Sequence, residues 1–341
     1  MKPSLLKETI KNAIQHGDNL IIWSEPGVGK TQMTIQAHEE TNTPYILTHP
    51  AISDPTDYKG YPDKYIDENG EKSATFIPFD DLKKMTRVKI RTGVIVDDAG
   101  QAVEGVQAPL MQLMHGGKLN GYVIPPEIVF FVLTNSRHHK AGSRGLIEPV
   151  KSRSVSIIHA ETDLDDWTKY AISQQYAFEV IAFNRWKKTS LLDFQPTHEL
   201  TNSPCPRTWE AVSKILLHNY PKHAELELIQ GAIGEAQAVE FYAFVRMARE
   251  LPDPDLILLR PDEVPIPMKD GKPNISVIFA ICSALATKAS DQTFGNIVKW
   301  ANKLPADFSV MLVIDCVTHK KELVKTKAFI EWNLKHQDVL V

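Results

Sequence analysis

The residues Ser24-Glu-Pro-Gly-Val-Gly-Lys-Thr31 carry the clearest chemistry in the chain. Glycines let backbone N–H groups wrap a phosphate without a side-chain clash. A helix opening directly after them adds the partial positive charge of its N-terminus. Lys30 is then placed to reach the β- and γ-phosphates of a nucleotide, and the Thr31 hydroxyl to hold Mg²⁺. The expected nucleotide contacts are Glu25, Pro26, Gly27, Val28, Gly29, Lys30, Thr31 and Gln32. The usual pattern opens with Gly where this chain has Ser24, the most forgiving position, so the loop is expected to survive with some loss of affinity.

Two further groups fit the same chemistry. Gly93-Val-Ile-Val-Asp-Asp98 is an apolar run ending in two acids. Asp97 is expected to orient Mg²⁺ through water, and Asp98 to polarise the attacking water. ATPases usually carry Glu at the second position. Asp is one methylene shorter, and a misplacement of roughly 1 Å can cost ~10²-fold, so slow hydrolysis is expected. The run Val129–Leu133 ends in Thr134-Asn135. An Asn at a buried strand end can hydrogen-bond a γ-phosphate or the water that attacks it.

These residues need a scaffold, and the apolar pattern supplies one. Short runs rich in Val, Ile or Phe occur at 18–23, 45–47, 94–96, 128–133 and 155–158, mostly with gaps long enough for a helix. Alternation of this kind predicts an α/β fold with a mostly parallel, five-stranded sheet covered on both faces. Leu6, Ile10, Ala13 and Ile14 predict an amphipathic helix over 3–17. Two insertions, 58–79 with Asp67-Glu-Asn-Gly70 and 115–126 with Asn120-Gly121, predict hairpins. After about residue 162 helical spacing dominates, with helices expected over 163–187, 206–219, 224–251, 275–289, 294–303 and 325–335. The domains expected are an α/β nucleotide core over 1–162, an α-helical lid over 163–251 and a helical extension over 252–341.

Composition narrows the class. The chain has 341 residues, 43% of them hydrophobic and 23% charged, so a folded chain of roughly two domains is expected. A net charge of -4 argues against a non-specific coat for DNA. No apolar run approaches the ~18 residues of a membrane helix, and the start is too polar for a signal peptide, so a cytoplasmic protein is expected. Cys205, Cys282 and Cys316 are far apart, which suits a reducing compartment and gives neither a zinc spacing nor a disulfide framework.

The blocks 24–31, 53–60, 94–98, 134–136, 144–153, 203–210 and 231–236 together resemble the AAA+ ATPases, and within them the short MoxR-like ATPases of bacteria and bacteriophages. Ser203-Pro-Cys-Pro-Arg-Thr-Trp-Glu210 and Ser53-Asp-Pro-Thr-Asp-Tyr-Lys-Gly60 point to that subgroup. The resemblance implies ATP and Mg²⁺ as ligands and a homo-oligomeric ring, with a hexamer favoured, in the cytoplasm of a bacterium or an infected cell. It implies that Asn135 is sensor 1, Arg207 a lid arginine at the γ-phosphate, and Arg153 the finger offered to the neighbouring subunit. Arg144 is a second finger candidate, because Ser154 stands where the family often has Phe. The two hairpins would face the pore. A partner with a von Willebrand factor A domain is implied, and remodelling of a protein complex is the function expected.

Alternatives from the same residues are a DNA-directed motor of related architecture and an ATP-gated scaffold that barely hydrolyses. A small-molecule kinase fits the second acid pair, Asn135 and the lid arginines poorly. The basic run Lys83, Lys84, Arg87, Lys89 and Arg91 reads as a solvated helix face. His138-His139 lacks partners at metal-ligand spacing and reads as a loop pair. Trp167, Tyr170, Phe178 and Trp186 read as core.

Overall fold

The computed structural model describes residues 1–66, 68–136, 145–195, 200–218, 220–249 and 254–336. Contacts divide the chain into two compact units, Met1–Asp163 and Leu164–Val341.

The first unit runs α1 (Pro3–His16), β1 (Leu20–Ser24), α2 (Lys30–Glu40), β2 (Tyr45–Thr48), α3 (Pro55–Lys59), β3 (Tyr61–Ile66), β4 (Lys72–Ile77), α4 (Asp80–Met85), β5 (Thr92–Val96), α5 (Glu104–His115), β6 (Gly117–Leu119), β7 (Tyr122–Ile124), β8 (Ile128–Asn135), α6 (Glu148–Lys151) and β9 (Ser156–His159). Its sheet has five strands in the order β2-β5-β8-β1-β9, and each neighbouring pair is parallel. Side chains alternate between the two faces of a strand. Leu20, Ile22, Ile95, Phe131 and Leu133 pack with Leu6, Ile10, Ala13 and Ile14 of α1 and Met33 and Ala37 of α2. On the other face Ile21, Val94, Val96, Phe130 and Val132 pack with Val106, Leu110 and Leu113 of α5. Burial on both sides is why β5 and β8 are near-continuous apolar runs.

Both insertions contain antiparallel hairpins, β3–β4 and β6–β7. Asn120 and Gly121 both take positive φ, 47° and 88°, as a tight two-residue hairpin turn requires. Asn120 Nδ2 donates to Lys59 O at 2.8 Å, and the Tyr122 hydroxyl donates to Phe76 O, so the two hairpins are bonded to each other.

The second unit is helical: α7 (Leu164–Ser173), α8 (Phe178–Trp186), α9 (Pro206–Leu217), α10 (Glu225–Ile233), α11 (Glu235–Arg249), α12 (Pro254–Leu259), α13 (Ile275–Thr287), α14 (Phe294–Ala301), α15 (Ala306–His319) and α16 (Lys327–Lys335), with a short hairpin of β10 (Met268–Lys269) and β11 (Lys272–Pro273) between α12 and α13. Two expected helices are each divided. The one over 163–187 breaks where Gln175 takes φ 55°, and the one over 224–251 breaks where Gly234 takes φ 79°. A positive φ cannot continue a right-handed α-helix. The helix α15 was absent from the expected set. Trp167 is buried, Tyr170 and Phe178 are partly buried against the same core, and Trp186 stays 40% exposed while stacking on Phe244.

One close approach inside the first unit ties α2 to the sheet. His38 is buried, its Nδ1 pairs with Thr34 O at 2.8 Å, and burial lowers its pKa from the ordinary histidine value. A Cβ on Gly93 would sit 1.9 Å from His38 Nε2, so only glycine fits that position of β5. Gly93→Ala is therefore expected to destabilise the protein by about 1–3 kcal/mol through overpacking. Urea unfolding checks this, and an unchanged midpoint would contradict it.

Candidate functional site

Sheet order brings the three chemical segments to one edge. The strand β8 lies between β5 and β1. Register sets Ser24 opposite Asn135 and Val96 opposite Val132, so the residues after Val96 emerge beside Leu133 and Thr134. Ser136 N donates to Ser24 O at 3.1 Å, and Asp97 N donates to Thr48 O at 2.9 Å. The carboxyl ends of parallel strands, at a crossing between non-consecutive strands, are where open α/β sheets bind ligands.

The loop between β1 and α2 has the backbone expected of a phosphate cradle. Gly27 and Gly29 take φ 77° and 104°. Gly29 is the N-cap of α2 and provides no side-chain cap, so an anion can take the amides of the first turn. Lys30 is buried, and its Nζ donates to Asn135 Oδ1 at 2.8 Å, to Ser24 Oγ at 3.0 Å and to Glu25 O at 3.4 Å. The Thr31 hydroxyl donates to Asp97 Oδ2 at 2.8 Å. Asn135 Nδ2 in turn donates to Asp98 Oδ1 at 3.0 Å. The structure thus brings together Lys30, Thr31, Asp97, Asp98 and Asn135.

The donor set suits Mg²⁺. Thr31 and Asp97 offer a hydroxyl and a carboxylate oxygen in contact, both hard ligands, and Mg²⁺ is ordinarily held by one or two protein groups together with phosphates and water. Among the described residues there is no cluster of three or more His, Cys, Asp or Glu that would serve a dedicated metal cage.

Asp98 takes φ 53° and ψ 31°, a left-handed conformation uncommon for a residue other than Gly. The turn Ala99–Gln101 follows it immediately, and Asp98 N donates to Asp97 Oδ1 at 3.1 Å. The chain turns sharply at the second acid, and Asn135 holds its carboxylate. A strained backbone at a polar strand end is a mark of a functional position.

Arg153 stands just ahead of the edge strand β9, and its Nη1 donates to Pro149 O at 2.6 Å. Its Nε is buried with no hydrogen-bond partner among the described residues. Arg144 and His138-His139 lie outside the described residues. Arg207 is exposed in the first turn of α9, in the second unit. Its neighbours have structural work: Thr208 accepts from Cys205 N at 2.9 Å, and buried Trp209 donates to Ser190 O at 2.8 Å. A cation at the positive end of a helix gains nothing from the dipole. In the basic run, Lys84 pairs with Asp80 and Asp81, and Arg91 bonds the carbonyls of Pro126 and Glu127.

Three supporting residues are given no role by the motifs. Asn19 accepts from Phe130 N at 2.8 Å and donates to Arg153 O at 3.2 Å and Met114 O at 3.4 Å, tying β8, α5 and the Arg153 segment together. Gln107 donates to Ala102 O and Gly145 O and accepts from Ile147 N. Tyr58 is buried and its hydroxyl meets Thr48 Oγ1 at 2.7 Å, the residue whose carbonyl holds Asp97 N. A polar residue preceding a strand is the only trace Asn19 leaves in the sequence.

No protein-family model matches the chain, and no curated protein sequence matches it. Among solved structures, a point mutant of Thermotoga maritima RuvB is similar at 12% identity, over 97% of this chain and 85% of that chain, with a TM-score of 0.37. A structure titled as the Thermotoga maritima RuvB Holliday junction branch migration motor is similar at 12% identity over the same shares, with a TM-score of 0.35. A shared task does not follow from likeness of this degree.

Asn19→Ala leaves the Phe130 amide without its acceptor and is expected to cost about 1–3 kcal/mol. Chemical denaturation tests this, and an unchanged midpoint would contradict the assignment.

Proposed function

We propose that the chain is a Mg²⁺-dependent ATPase of the AAA+ class and MoxR-like type, working as a ring of its own copies. The observation that carries the reading is the bonded series Lys30–Asn135–Asp98 beside Thr31–Asp97, at the ends of three adjacent parallel strands. In the reaction, water attacks the γ-phosphorus of ATP and gives ADP and phosphate. Lys30 and the amides of the loop would bind the β- and γ-phosphates. Thr31 and Asp97 would hold Mg²⁺, which when bound neutralises charge on the phosphate oxygens. Asp98 would accept hydrogen-bonding from the attacking water, with Asn135 fixing the carboxylate and the geometry around it.

Arg153 beside an edge strand suits a finger offered in trans, a role worth ~10³–10⁵ in rate, and Arg144 is the second candidate. Arg207, exposed on a helix of the second unit, suits a lid contact with the γ-phosphate. A protein complex is the target this reading favours, with a von Willebrand factor A domain partner proposed from the family resemblance. Tyr61, Tyr65, Ile66 and Ile77 are exposed on β3–β4, and aromatic and apolar surface is what protein interfaces use. The net charge of -4 gives no electrostatic support to a DNA-directed motor.

Steady-state ATP hydrolysis tests the reading. Lys30→Ala and Asp98→Asn are each expected to lower turnover about 10²-fold or more, and Asp98→Glu to raise it, since it restores the longer reach. Activity in Asp98→Asn equal to that of the unaltered chain would overturn the role of Asp98. Activity per subunit that stays constant on dilution to monomer would overturn the ring.

A further inference from the structure

Ser24 is where the phosphate loop departs from a glycine, and its side chain is engaged. It is fully buried at the end of β1. Its hydroxyl donates to Glu25 O at 2.6 Å. The single proton of the hydroxyl is thereby committed, which turns its lone pairs to Lys30 Nζ at 3.0 Å. Among the described residues, Ser24 Oγ, Glu25 O and Asn135 Oδ1 are three acceptors for the ammonium. Two of the three would also be present in a chain with glycine at position 24. The third exists only because this chain has serine.

We infer that Ser24 is a latch on the phosphate-binding lysine: its hydroxyl competes with the nucleotide for Lys30 and sets a weaker hold on ATP than a glycine would, narrowing the preference for ATP over AMP. The inference rests on the proposed nucleotide site. A phosphate that takes the ammonium must displace at least one of its acceptors. Each acceptor given up is a hydrogen bond to a charged group, made in water-poor surroundings where such bonds are strong. The penalty falls only on ligands that reach Lys30, which is to say those with β- and γ-phosphates. A nucleoside monophosphate would not disturb the latch. Ser24 is a positioning residue here, acting through Lys30.

The test is binding by calorimetry of Mg·ATP and of AMP to the unaltered full-length chain, Ser24→Ala and Ser24→Gly, with the melting temperature of each recorded without and with ATP. Both variants are expected to bind Mg·ATP about ten- to a hundred-fold more tightly, the size of one hydrogen bond to a charged group. They should also show a larger ATP-induced rise in melting temperature, with AMP binding unchanged. Mg·ATP binding in both variants equal to or weaker than that of the unaltered chain would overturn the latch. So would a gain for AMP as large as the gain for ATP, since that marks a general change in loop shape. Failure of the unaltered chain and both variants alike to bind Mg·ATP would overturn the nucleotide site itself, and the latch with it. Binding by the variants alone would support both.

Discussion

Everything chemical in this chain depends on the placement of β8 between β5 and β1. Parallel strands run in one direction, so their carboxyl ends meet at one edge. The register there is fixed by which face each apolar side chain must take. A slip of one residue on β8 would send Phe131 and Leu133 away from α1 and α2 and into the opposite core. It would also move Asn135 out of line with Ser24. The core therefore sets the position of the polar atoms. Asn135 reaches both Lys30 and Asp98 because its strand neighbours the strands that carry or precede them.

A second constraint is the charge on Lys30. An ammonium this buried is tolerated only if its donors are met. Among the described residues, a carbonyl, an amide and a hydroxyl oxygen accept from it. The same edge holds Asp97 through its backbone to Thr48, and Thr48 is bonded to Tyr58 at the foot of the β3–β4 hairpin. Burial and the bond to Thr48 make Tyr58 a fixed part of this edge. Its phenol is pushed up from its ordinary pKa by burial.

The parts of this arrangement that the sequence displays are those written locally. A phosphate loop, an apolar run ending in two acids and an apolar run ending in Asn are each contiguous, and so is the period of α1. The parallel sheet follows from the run lengths and gaps. What the sequence hides is written across distance or in single dihedral angles. Nothing around Gln175 announces a positive φ, so α7 and α8 read as one helix. Gly234 is a single glycine inside strong helical spacing, and its positive φ overrides the pattern. The fit of Gly93 against His38 joins residues 55 positions apart. The α15 pattern, Ser-Val-Met-Leu-Val-Ile, is apolar on most sides because much of that helix is enclosed in the core of its unit, so no clear amphipathic period marks it. Asn19 looks like any polar residue before a strand until its three partners are in place.

We propose one nucleotide site, assembled from three strand ends around Lys30, Thr31, Asp97, Asp98 and Asn135. Calorimetric titration of the full-length chain with a slowly hydrolysed ATP analogue, with and without Mg²⁺, tests it most directly. Saturable binding of one nucleotide per chain is predicted, weakened when Mg²⁺ is chelated and lost in Lys30→Ala. Absence of binding, or binding indifferent to both Mg²⁺ and Lys30, would contradict it.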